Sequence, residues 1–142
     1  KSSYYIFTSN PIFGVGNKNY RLKSCEFVYN LELSPDIRNR YICTTHPHQI
    51  YFEFLSEHGI IGLLFLTFLF FFILLRVFKE ILKTKNTLQI GCFVFVLSTF
   101  LPILPSGSFF SNFNSTIFWI NFSLMFACNK NTNIFATNRI KN

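Results

Sequence analysis

Charges and short apolar groups are mixed through residues 1–57, and the pattern then changes. The 18 residues from His58 to Leu75 and the 44 residues from Asn86 to Asn129 carry no formal charge. A hydrocarbon core is crossed by ~20 consecutive apolar residues, so the first stretch supplies one span and the second supplies two. The pattern predicts a loop over 1–57, a transmembrane helix over 58–79, a connector over 80–87, a second such helix over 88–104, a turn over 105–112, a third helix over 113–128 and a tail over 129–142. The expected fold class is therefore all-α: part of a polytopic integral membrane protein, with a large loop of short helices followed by three transmembrane helices.

Finer signals lie within these blocks. Residues 1–13 suit either the end of a helix or an extended stretch, and Gly14 and Gly16 make a turn. Residues 17–44 read as an irregular loop with one or two short helices and a turn at Pro35 and Asp36. A helix start is marked at Thr44, Thr45, His46 and Pro47, where a hydroxyl or His46 caps and proline suits the first turn. That short helix runs to Glu57, and Gly59 and Gly62 lead into a span whose late Arg76 reaches the interface. Pro102, Pro105 and Gly107 close the second span. The third carries Asn114 and Asn121 seven residues apart, on one face. Amides facing lipid lack partners, so this face either packs on other helices or lines a wet cavity. From Asn129 the polar tail is expected to fray.

Composition strengthens the membrane reading. Phe alone accounts for 21 of 142 residues, more than a soluble core of this size requires. The net charge of +7 would suit nucleic acid if it were spread over one surface, but it is not. Residues 1–57 hold six basic and five acidic side chains, while Arg76, Lys79, Lys83, Lys85, Lys130, Arg139 and Lys141 face only Glu80 beyond them. Three crossings put both basic ends on one side, which the positive-inside rule makes cytoplasmic, and leave 1–57 outside. No nucleic-acid partner is expected. Without an initiator Met or a signal segment at Lys1, the chain reads as the carboxy-terminal part of a longer protein, whose upstream transmembrane helices would be its partners along with the bilayer. Cys92 and Cys128 fall within spans as small fillers. Cys25 and Cys43 are the two cysteines of the outer loop, where oxidation is favoured, and a disulfide between them is predicted to stabilise by ~3 kcal/mol.

Chemistry concentrates in His46-Pro47-His48-Gln49-Ile50-Tyr51-Phe52-Glu53-Phe54-Leu55-Ser56-Glu57-His58-Gly59. No third ligand accompanies His46 and His48 in a known metal pattern, so no metal and no cofactor are expected. His48 is predicted in the first turn of a helix just outside the membrane. There a positive helix end attracts phosphate, and a neutral imidazole can take a proton from a sugar hydroxyl.

The runs PIFGVGNKNYR over 11–21 and CTTHPHQIYFEFLSEHGIIG over 43–62 resemble the O-antigen ligase and O-antigen polymerase (Wzy/WaaL-like) superfamily of membrane glycosyltransferases. The matching residues are Pro11, Gly14, Gly16, His48, Gln49, Glu57, Gly59 and Gly62, with Gln49 standing where Asn is usual. PSGSFFSNFNSTIFW over 105–119 is similar to a loop and closing helix of some members. The resemblance implies a multi-pass protein of the bacterial inner membrane with 1–57 periplasmic and the tail cytoplasmic. It also implies a metal-independent inverting transfer from an undecaprenyl-diphosphate-linked glycan to a hydroxyl of the lipid A core, or to a glycan acceptor in a polymerase or oligosaccharyltransferase. In that setting His48 is the catalytic base or orients the acceptor. Lys18 and Arg21 neutralise the diphosphate, and Gln49, Tyr51 and Glu57 position sugar, although Tyr51 and Glu57 equally suit helix packing and helix termination. Gly14 and Gly16 form a turn able to bring amides to phosphate; with Asn19 following, they make no dinucleotide fingerprint. A transporter-like protein is the remaining class, disfavoured by the lack of an ionisable residue deep in the second or third span.

Overall fold

The computed structural model describes residues 2–30, 44–102 and 107–133. Cys43, Pro35, Asp36, Pro105 and the tail beyond Asn133 lie outside them, so the predicted Cys25–Cys43 disulfide is described at one end only. Among the described residues every regular element is helical: α1 Ser2–Ser9, α2 Tyr20–Asn30, α3 Ile50–Thr84, α4 Thr87–Thr99 and α5 Asn112–Ala127. The stretch left open over 1–13 is thus a helix followed by a turn.

α3 is two helices in one. At Gly59 the backbone turns to φ 66°, ψ −169°, which divides the short helix from the long apolar one at the glycine where the sequence placed their junction. The segment from Pro11 to Gly16 lies in this break. Val15 and Gly16 N–H donate to the Ser56 and Glu57 carbonyls (3.0 and 2.8 Å), and Ile60 N–H donates to the Pro11 carbonyl (2.9 Å). The loop therefore supplies partners to both ends that the break exposes. A Cβ on Gly59 would collide with the Ile12 carbonyl, and one on Gly14 with the Glu57 backbone, so both glycines are required by close approach as well as by positive φ.

α3, α4 and α5 run up, down and up. At one end Tyr51 donates to the Phe100 carbonyl (2.6 Å), while Glu53 meets Ser108 and Phe109. At the other, Asn86 donates to the Cys128 carbonyl (2.9 Å). Between them sits an aromatic core of Phe54, Phe70, Phe100, Phe109 and Phe118. The Phe70–Phe118 and Phe54–Phe109 rings meet edge to face at 5.6 and 5.4 Å, a geometry worth ~0.5–1.5 kcal/mol per pair.

Only α3, among the described residues, is long and apolar enough to cross a membrane. Beyond Gly59 its 25 residues reach about 37 Å, whereas the 13 residues of α4 reach about 20 Å and the 16 of α5 about 24 Å. The second predicted span is cut short because Pro102 disfavours helical backbone at Leu101, and the helix ends at Thr99. The connector is also shorter than predicted: α3 continues to Thr84, and Lys85, in the left-handed region, closes it.

The expected fraying does not begin at Asn129. Gln89, fully buried, donates to the Met125 carbonyl (2.9 Å) and Thr132 Oγ1 (3.1 Å) and accepts from Asn129 Nδ2 (3.1 Å). Residues 129–133 are tied down by that amide. On α5, Asn114 and Asn121 flank the buried stripe of Phe118 and Met125, which favours packing for their face. Asn114 donates to the Ser108 carbonyl and Asn121 to its own helix at Ile117. Cys92 and Cys128 are free thiols, Cys92 buried in the core.

Candidate functional site

The part of α3 before Gly59 starts later than the sequence suggests. Gln49, in extended conformation, is the N-cap, and its Oε1 accepts from Phe52 N–H (2.9 Å). Pro47 is buried two residues before the cap, and His48 is exposed immediately before it rather than in the first turn. The longer Gln side chain can still reach the N3 amide, so it takes the cap from His46 and the hydroxyls. His46 instead holds Thr45 Oγ1 through Nδ1 (2.9 Å) and meets the His48 ring edge-on at 4.7 Å. Burial, and then the neighbouring His48, push the His46 pKa below its ordinary value.

Glu57, 4% exposed, joins this helix to α2. Its carboxylate accepts from Lys18 N–H (2.9 Å) and Tyr20 N–H (3.3 Å), at the start of α2. Negative charge is favourable at a helix N-terminus. Lys18 is itself in the left-handed region at φ 61°, a conformation that a non-glycine residue holds only when its surroundings fix it. The side chains of Lys18 and Arg21 are exposed at this end of α2.

Several predicted roles are already occupied. Both Glu57 oxygens bind backbone, the Tyr51 hydroxyl binds the Phe100 carbonyl, and the Gln49 carbonyl caps α3. The amides of Gly14 and Gly16 donate to the Asn10 and Glu57 carbonyls, so this turn presents neither to phosphate. These residues build the site, while His48, Lys18 and Arg21 keep exposed side chains.

Glu53 was missed. At 1% exposure, it accepts from the Ser108 hydroxyl and from Phe109 N–H (2.8 Å), latching the turn before α5 onto α3. Burial pushes its pKa up, and the Glu57 charge one turn away adds to the effect. The available signal was its i,i+4 spacing to Glu57, since two carboxylates on one buried face both need donors from elsewhere. His58 lies between Phe54 and Phe110, with its Nε2 buried and unpartnered. Among the described residues no three His, Cys, Asp or Glu side chains gather as metal ligands.

Residues 1–68 match the model of the family described as O-Antigen ligase. This segment, just under half of the chain, is similar to the O-antigen ligase family. It covers α1, α2 and the first part of α3, so the helix break and the residues from His46 to Gly59 fall within it, while α4 and α5 lie beyond. The family's activity is of the O-antigen ligase or polymerase type, on lipid-linked glycans at a membrane. Neither curated proteins nor solved structures give a match.

Proposed function

We propose that the chain is the carboxy-terminal part of a bacterial inner-membrane glycosyltransferase that moves a glycan from undecaprenyl diphosphate to a lipid A core hydroxyl at the periplasmic face. The observation that carries this reading is the family match over the segment that braces an exposed imidazole, His48, at the outer end of the apolar helix. Charge supports the orientation, since Lys79, Lys83 and Lys85 gather at the opposite end of α3 and Lys130 follows α5. The up-down-up order supports three crossings, with α4 and α5 shorter than α3.

In this reading His48 takes the proton of the acceptor hydroxyl as its oxygen bonds to the anomeric carbon. The bond from that carbon to the diphosphate oxygen breaks, its electron pair leaves with the diphosphate, and the centre inverts. The exposed cations Lys18 and Arg21 offset the leaving charge without a divalent ion. His48→Ala in the full-length protein is expected to abolish transfer with membrane insertion intact; undiminished transfer would refute the role. The acceptor is tested by a deletion strain. Polymer left on the carrier lipid supports a ligase, whereas a core bearing one repeat supports a polymerase.

A further inference from the structure

The segment carrying His48 is pinned at both ends to different helices. On its far side Gln49 caps α3. On its near side Ser24, fully buried in α2, donates its hydroxyl to the Thr44 carbonyl (2.8 Å), and the Tyr20 hydroxyl lies 3.4 Å from Thr44 Oγ1. Tyr20 is 2% exposed, and its hydroxyl also accepts from Ser3 of α1 (3.3 Å). The two helices are in turn joined by Glu57, which binds the Tyr20 amide. A closed circuit results: α3 to Glu57, to α2, to Thr44, through His46 and His48, and back to α3 at Gln49.

We propose that Ser24 and Tyr20 are positioning residues for His48, acting through Thr44 to set where the imidazole stands relative to the outer end of α3. This rests on His48 being the base of the transfer reaction. Neither hydroxyl reaches the solvent-exposed side of the site, so neither is placed to touch a glycan. What they fix is the backbone four residues before His48, in a stretch without regular structure of its own. Such a stretch holds a side chain to a reacting geometry only when its flanks are fixed, and small misplacements are costly to rate. Serine at 24 supplies a short donor that, fully buried, reaches the Thr44 carbonyl directly. Tyrosine at 20 reaches both Ser3 and Thr44 while its ring fills the gap between α1 and α2.

The test uses Tyr20→Phe, Ser24→Ala and the double variant in the full-length protein, in native membranes. The donor is an undecaprenyl-diphosphate-linked glycan, the acceptor is lipopolysaccharide core, and His48→Ala runs in parallel. Both substitutions keep the buried volume nearly unchanged. The double variant is expected to lose about tenfold in kcat per folded protein, as a displaced base would, with the KM for the donor unaltered and at most a small fall in melting temperature from the lost hydroxyl bonds. Single variants should show smaller losses in the same parameter. An unchanged kcat in the double variant, with His48→Ala inactive, overturns the positioning role and leaves His48 in place. A loss matched by a fall in folded protein, or confined to KM, overturns it as well, because the hydroxyls would then serve only stability or donor binding. Activity retained by His48→Ala removes the reading beneath it, and the proposal with it.

Discussion

Glu53 and Glu57 stand one helical turn apart on α3, both buried, and their different donor sets give them different work. Glu57 accepts from two backbone amides at the start of α2 and so joins the two helices. Glu53 has a hydroxyl and a turn amide, and burial outweighs these, so its folded pKa lies above the unfolded one. For a raised carboxyl the folded state binds more protons. Its stability contribution is complete below the unfolded value and is lost as pH rises through the folded value. The melting temperature of the wild type in detergent is therefore expected to fall relative to Glu53→Gln across that window; parallel curves would show that Glu53 does not titrate there. Glu53 is legible in the sequence only through its i,i+4 spacing to Glu57, since its partners Ser108 and Phe109 lie on a distant turn.

The helix break is the main device at the scale of elements. Gly59 interrupts α3, and residues 11–16 repair the interruption with their own backbone. Gly59→Ala should destabilise by at least ~1–2 kcal/mol from the left-handed backbone alone, and by more because Cβ meets the Ile12 carbonyl. A melting temperature equal to the wild type would contradict the break. The cap makes a second prediction. Gln49→Asn shortens the side chain to one of the strongest capping residues, so stability should hold or rise by about 0.5 kcal/mol, whereas Gln49→Ala should lose ~1 kcal/mol. Thermal unfolding of the three proteins orders them. The two glycines and the amide were readable as turn and helix-start signals, but the loop's insertion between them was not, because it joins segments over forty residues apart in sequence.

Across the whole molecule, polar clusters hold the three long helices at each end, with aromatic packing between. Glu53, Tyr51 and the turn before α5 form one cluster; Gln89, Asn86, Asn129 and Thr132 form the other. Gln89→Leu would strand the Met125 carbonyl, at ~1–3 kcal/mol for a buried group without a partner, and leave the Asn129 amide only its bond to Thr84 Oγ1 (3.3 Å). The expected result is a lower melting temperature and faster proteolysis of the segment after Cys128. The proposed three crossings give a topological prediction. A cysteine placed at Lys18 should react with an impermeant thiol reagent from the periplasm, and cysteines at Lys85 and Lys130 only after the cytoplasmic face is opened; labelling of all three from one side would refute three spans.

Charge-free runs and turn residues were enough by themselves to read this chain as helical with one long apolar helix, and basic clusters were enough to propose which side each end faces. These follow from local composition, because the lengths of apolar runs and the placement of Lys and Arg answer to the bilayer one segment at a time. Tertiary structure alone decided that Glu57 serves α2, that Gly14 and Gly16 brace a broken helix rather than offer amides, and that Thr44 ties His48 to α2. Each of these depends on which distant backbone group comes within 3.5 Å, and no periodicity or composition encodes that distance.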